Sequence, residues 1–168
     1  MKKHQLFLLL LLSFSLGLAS ACGQTAYEPQ AIREETDRCA VCNMAVKDDA
    51  FAAQLVTKDG QSLKFDDIGC MHQWMAQNPA DAVGAAFVRD YESKRWVRLE
   101  KAYYVYDPSL KTPMAYGVVA FRDESAARSF IEGQGSGKLM TAEELSRHEW
   151  KANRDMNGMM HNHSGNMA

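Results

Sequence analysis

Apolar and polar positions along the chain fall into recognisable periods from about residue 50 onward. Residues 50–57 read as a strand, Asp59-Gly60 as a hairpin turn, and residues 62–65 as the partner strand. Asp66 or Asp67 then caps a helix running to about Gln77, where Asn78-Pro79 stops it. Residues 85–90 read as another strand. Residues 101–106 are aromatic and β-branched and predict a further one. Pro108 and Pro113 bracket a loop, residues 116–121 read as a strand, and Asp123 caps a helix to about Glu132. After a loop at residues 133–137, Thr141 begins a last helix, with Glu144 placed for a capping box.

A weak repeat runs through this pattern. Phe65-Asp66-Asp67 precedes one helix and Phe121-Arg122-Asp123 the other. In that register Trp74 aligns with Phe130 and Cys70 with Ala126. Each half reads strand, strand, helix, strand. The expected fold is α+β, with two similar ββαβ units packed together. A single sheet with helices on one face is the plainer alternative.

The two ends differ from the middle. Lys2, Lys3 and His4 precede an apolar stretch over residues 6–18, which is followed by Ala19-Ser20-Ala21 and Cys22. A basic start, a short apolar run and small residues describe an export signal rather than a membrane span. Small residues just before a cysteine resemble the bacterial lipobox, in which the cysteine takes a lipid (palmitate among its acyl chains) and becomes the new N-terminus. Ala19 stands where leucine is usual; ordinary secretion with cleavage near Ala21 is the alternative. The division expected is a lipoprotein signal peptide over 1–21, lipidation at Cys22, a flexible tether over 22–37, a folded domain over 38–152 and a tail over 153–168. The mature protein would sit on a cell membrane by its lipid, facing out of the cytoplasm.

Charge adds little. A net charge of −2 with no basic stripe argues against nucleic acid as a partner. Cysteine count adds more. With Cys22 lipidated, Cys39, Cys42 and Cys70 remain, an odd number that cannot all pair within one chain.

Candidate chemistry centres on Cys39-x-x-Cys42-x-Met44. Two thiols and a thioether in six residues are soft donors, and Cu(I) is the soft ion they suit best. A redox pair, a structural disulfide and half of a zinc knuckle stay open. Met44 favours the metal, since zinc and redox chemistry have no use for a thioether. Cys70-Met71-His72 also looks ligand-rich. Successive helical side chains point about 100° apart, so core packing for Cys70 and an exposed face for His72 are expected. Thr112-Pro113-Met114 places a methionine in a loop, where it can present its thioether to the first loop. Residues 156–167 hold Met156, Met159, Met160, His161, His163 and Met167 without any period. This dense Met/His bias marks accessory copper donors able to raise the local concentration of the ion. No Ser-His-Asp set, phosphate loop or catalytic carboxylate pair can be made out, so a non-enzyme is expected.

The lipobox cysteine, Cys39-x-x-Cys42-x-Met44, Phe65-Asp66-Asp67-Ile68-Gly69-Cys70-Met71 and Thr112-Pro113-Met114 leading to Phe121 together resemble the NosL family of lipoproteins. The resemblance covers roughly residues 37–130. It implies a Cu(I)-binding accessory protein that delivers copper to nitrous oxide reductase and the machinery assembling its copper–sulfide centre. It also implies paired ββαβ units similar to the organomercurial lyase fold. Carried over position by position, Cys42, Met44 and Met114 become the main ligands, with Cys39 a fourth. Asn43 stands where the family commonly has glycine. An extracytoplasmic thiol–disulfide oxidoreductase and a general copper-buffering or resistance lipoprotein are the alternative functions.

Overall fold

The fold is that of a computed structural model, which describes residues 27–153. The export signal, Cys22 and the accessory donors from Met156 to Met167 lie outside the described residues. Strands β1 (Ala53–Thr57) and β2 (Ser62–Phe65) form the expected antiparallel hairpin, turned at Gly60 with φ +87°. Helix α1 (Ile68–Gln77) follows at once. Asp67 caps it, its carboxylate accepting from the Gly69 N–H at 2.9 Å. Asn78 leaves the helix in an extended conformation, as a residue before proline must. Strand β3 (Val83–Arg89) returns along the other side of β1, and β4 (Trp96–Arg98) adds outside β3.

The same walk then repeats. Strands β5 (Tyr103–Tyr106) and β6 (Val118–Phe121) pair antiparallel, α2 (Glu124–Gln134) crosses over, and β7 (Lys138–Met140) pairs with the free side of β5. Helix α3 (Ala142–Ser146) carries the expected Thr141–Glu144 capping box. Sheet orders are β2-β1-β3-β4 and β6-β5-β7, so two ββαβ units stand side by side in one α+β fold. Phe65 and Phe121 end equivalent strands and are both fully buried. Asp67 and Asp123 both hold N-cap positions, although only Asp67 makes the side-chain cap bond. Strand β4 is three residues long, too short to leave a period in the sequence.

One face of each sheet turns into a shared core. Leu55, Phe65 and Val88 from the first unit meet Tyr104, Val118 and Met140 from the second, together with Ile68 and Met71 of α1. Burying such side chains stabilises by about 1.5–3 kcal/mol each, so this core is what holds the two units together. The other face of the second sheet packs Val105, Val119 and Phe121 under Phe130 and Ile131 of α2.

Among the described residues no helix covers the other face of the first sheet. Val56, Ala85 and Phe87 are covered there by Tyr27 and Trp96. Gln54, fully buried, accepts from the Gln30 N–H at 2.7 Å and donates to the Gln30 carbonyl at 2.9 Å. The stretch expected as a flexible tether is therefore corrected at its C-terminal end. At Tyr27 and Gln30 the chain lies against the sheet, because the buried Gln54 side chain offers the Gln30 backbone both a donor and an acceptor.

Candidate metal centre

Residues 38–45 form a tight hairpin loop. Arg38 and Ala45 bridge antiparallel, Cys39 N–H donates to the Met44 carbonyl at 2.8 Å, and Asn43 N–H donates to the Cys39 carbonyl at 3.0 Å. Asn43 sits at φ +61°, in the left-handed region. Glycine takes that conformation freely and asparagine tolerates it best among the others, which accounts physically for this position. The loop is then tied to the first sheet. Cys39 bridges Lys64 in parallel, and Ala40 N–H donates to the Lys64 carbonyl at 2.9 Å. This lays Cys39 beside the end of β2, where Asp66 follows and α1 starts with Cys70 in its first turn.

The result is a cluster. Donor atoms of Cys39, Cys42, Asp66 and Cys70 all lie within 4.8 Å of one another. Two sulfurs sharing one ion at roughly 2.3 Å each stand at most about 4.6 Å apart, so small shifts close this set on a single ion. The three cysteines are free thiols. Cys39 and Cys70 are buried, at 3% and 1% exposure, and Cys42 is half-buried.

The charges in the cluster are shared unequally. The Cys70 thiol donates to Cys39 and, above all other influences, pulls its thiol down to about 4. Burial pushes the Cys42 thiol up to about 12. Cys70 is pushed up as well, first by its bond to Cys39 and then by burial. Burial raises the Asp66 carboxyl to about 6, and the Cys42 thiol donates to it at 3.4 Å. The direction of these shifts favours the charged form at Cys39 over Cys42 and Cys70, with the Asp66 carboxyl placed to accept from Cys42. Three sulfurs of this kind suit Cu(I); with Asp66 they also complete the four-donor set that Zn(II) favours.

Cys70 is the donor that sequence reasoning assigned to packing alone. It is a buried core residue, as expected, and it also faces Cys39. Asp66 was grouped with Asp67 as a cap; only Asp67 caps. The one sequence signal that could have found the pair is their position: a cysteine and an acid flanking a strand-to-helix junction, where a neighbouring loop can meet both. His72 does not lie on an open face. It is half-buried and stacks on Trp150 with ring centroids 4.6 Å apart.

Of the expected methionines, Met44 borders the cleft that Asp66 also lines, and Met114 packs into the core. Met44 is 52% exposed and lines an open cleft of about 310 Å³ together with Phe51, Asp66, Thr112 and Pro113. Met114 is half-buried and packs against the main core. Its loop is pinned by Asp67, which accepts from Thr112 Oγ1 at 2.7 Å and from the Met114 N–H at 3.0 Å. Thr112 Oγ1 accepts in turn from the Gly117 N–H at 3.2 Å. Gly117 has φ +67°, and a side chain there would meet the Asp107 carbonyl at 2.4 Å. Gly69 is required for a different reason: a Cβ would stand 2.1 Å from the Tyr116 ring, so the loop can approach α1 only because that position is bare. One carboxylate and two glycines therefore hold the loop that brings Thr112 and Pro113 to the cleft.

Comparison with known proteins shows what the chain as a whole is similar to. The NosL family profile matches residues 29–150. A copper-binding lipoprotein NosL from Stutzerimonas stutzeri is 29% identical over 177 aligned positions, spanning 96% of this chain and 90% of that protein. The crystal structure of the copper chaperone NosL from Shewanella denitrificans superposes with a TM-score of 0.61 at 21% identity, covering 68% of this chain and 92% of that one. At that identity the likeness speaks for the fold.

Proposed function

The chain belongs to the NosL family, and from that premise we propose that it is a Cu(I) metallochaperone, lipid-anchored at Cys22 outside the cytoplasm. The observation that carries the reading is the convergence of three free thiols and a carboxylate on one point, with an exposed thioether beside them. Cys39, Cys42 and Cys70 are the thiolate donors, and Met44 and Met114 are the thioethers within the neighbouring loops. Soft donors of this kind hold a monovalent ion without the octahedral cage that a hard cation needs.

Release follows from the same geometry. Cys39 and Cys70 are closed off, whereas Cys42 is half-buried and Met44 stands at the mouth of the cleft. A partner's ligands can attack the ion from that side while Cys39 and Cys70 still hold it. The client in this reading is nitrous oxide reductase and the machinery that assembles its copper centre. In this reading the protein acts by binding and transfer.

Anaerobic Cu(I) titration against a competing chelator tests the site. One tight equivalent is expected, lost in Cys42→Ser and in Cys70→Ser and weakened in Met44→Ala and Met114→Ala. Binding that ignores both cysteine substitutions would end the proposal. Copper content of nitrous oxide reductase from a strain lacking this protein tests the client: a fully loaded enzyme removes that part of the reading and leaves the metal site standing.

Thiol–disulfide exchange is the second reading, favoured by three free cysteines lying close together, with the Cys39 thiol shifted down by its bond from Cys70. Burial of Cys39 and Cys70 leaves only Cys42 open to a substrate disulfide. Turnover in an insulin-reduction assay that is insensitive to Met44→Ala would favour it.

A further inference from the structure

Residues 147–153 follow α3 and join neither sheet, yet they touch both the helix that carries Cys70 and the loop that carries Met114. Trp150 is the point of contact. Its indole stacks on His72, two residues beyond Cys70 on α1, with ring centroids 4.6 Å apart and planes at 23°. It also meets Tyr116, two residues beyond Met114, edge-on at 5.8 Å. Tyr116 in turn lies against α1 at Gly69. One side chain thus bridges the helix of one donor and the loop of the other. Asn153 fastens the same loop at two further points. Its N–H donates to the Ala115 carbonyl at 2.8 Å, and its side-chain amide donates to the Pro108 carbonyl at 3.1 Å.

The loop needs this support. Ala115, the residue after Met114, stands at φ +58°, a left-handed conformation that is unfavourable for alanine. Backbone of this kind persists where its surroundings over-determine it. Asp67 holds one side of Met114 through the Thr112 hydroxyl and the Met114 N–H. Asn153 and Trp150 hold the other side, at Ala115 and Tyr116. His72 Nε2 and Trp150 Nε1 are buried and have no hydrogen-bond partner among the described residues, so these rings meet through their faces rather than through polar groups.

We propose that Trp150 is a positioning residue of the metal centre: by joining α1 to the β5–β6 loop, it sets the Met114 thioether toward the ion held by Cys39, Cys42 and Cys70. The inference rests on the reading of that cluster as the Cu(I) site and of Met114 as its thioether. Trp150 gives no atom to the ion. Groups outside the ligand shell orient the ligands, and losing one typically weakens metal binding about 10–100-fold. Met44 has a different support. It lies in the hairpin loop of residues 38–45, which is tied to Lys64. Loss of Trp150 therefore acts on one thioether and spares the other.

The test uses the full chain, reduced, anaerobic and in detergent, with Cu(I) affinity read by competition against bicinchoninate in a double-mutant cycle. Trp150→Leu keeps an apolar side chain but removes the ring face. It should weaken Cu(I) binding about tenfold alone and about tenfold again in a Met44→Ala background, but less than about twofold in a Met114→Ala background. Trp150→Phe should restore most of the affinity. In methionine-methyl NMR, the Met114 signal should move on Cu(I) addition to the native protein and stay in place in Trp150→Leu, while the Met44 signal moves in both. Phe130→Ala, on the face of the second sheet turned away from the shared core, is a destabilised control and should keep native affinity. Tyr116→Leu removes the other ring of the edge contact and should reproduce the pattern, so the test stands even if Trp150→Leu fails to fold. Equal losses in the native and Met114→Ala backgrounds, or a matching loss in Phe130→Ala, would overturn the positioning role. Native affinity in Met114→Ala would take down the thioether assignment and this proposal with it. Absence of a tight equivalent in the native chain would instead bring down the cluster reading.

Discussion

Replacing Asp67 separates the clamp from the metal cluster beside it. The carboxylate accepts three hydrogen bonds: from Gly69 N–H at 2.9 Å, Thr112 Oγ1 at 2.7 Å and Met114 N–H at 3.0 Å. Its own exposure is 1%, so no water stands ready to replace it. Loss of the helix cap in Asp67→Ala costs about 1 kcal/mol. Leaving the Thr112 hydroxyl and the Met114 N–H unsatisfied costs about 1–3 kcal/mol for each group. The sum is about 3–7 kcal/mol, a large part of the stability of a domain this size. Asp67→Asn keeps a good cap and one acceptor, and should lose about half as much. Urea unfolding of the metal-free protein, followed by far-UV circular dichroism, reads both values. The Thr112-Pro113-Met114 loop should also loosen, seen as faster amide exchange at Met114. A loss below 1 kcal/mol in Asp67→Ala, or an asparagine variant as unstable as the alanine one, would refute the assignment of this residue as the clamp.

Three more expectations follow from the geometry. Gly69→Ala should destabilise strongly, by about 2 kcal/mol or more, because the new methyl meets the Tyr116 ring at 2.1 Å; Gly69→Ala with Tyr116→Ala should cost less than the two changes added, as read by a double-mutant cycle in urea. Asn43→Gly should leave stability within a few tenths of a kcal/mol, while Asn43→Val, forced to φ +61°, should cost about 1–2 kcal/mol and weaken Cu(I) binding by opening the loop that carries Cys39 and Cys42. The Asp107 carboxyl is held below its ordinary range, first by the Ser109 hydroxyl and then by that of Ser136. A depressed folded value contributes stability that is present above the unfolded value near 4 and is lost as pH falls through the folded one, so Asp107→Asn should flatten the loss of stability below about pH 4 in acid titrations of the unfolding midpoint.

Legibility of the site followed the range of the interactions. The two ββαβ units were readable because their signals are local: the Asp59-Gly60 turn, Asp67 before α1, Asn78-Pro79 after it, and Thr141 with Glu144 at α3 each act within a few residues. Strand β4 escaped, and β1 begins at Ala53 rather than residue 50, because three residues at a strand end leave no period to detect. The course of residues 27–32 along the first sheet was hidden by their polarity. Their packing depends on Gln54, 24 positions from Gln30, turning its amide toward them.

The sequence by itself determined the soft-donor chemistry, the hairpin–helix repeat and the residues that make each local turn, since all of these are properties of neighbours along the chain. Only the tertiary structure decided which donors meet. Cys39 reaches Cys70 and Asp66 because its loop pairs with Lys64 at the end of β2, and Met114 comes alongside α1 because Asp67 is 47 positions away in the chain but within hydrogen-bonding distance in space. Contacts of that kind depend on how sheets and loops pack, and no spacing within one segment encodes them.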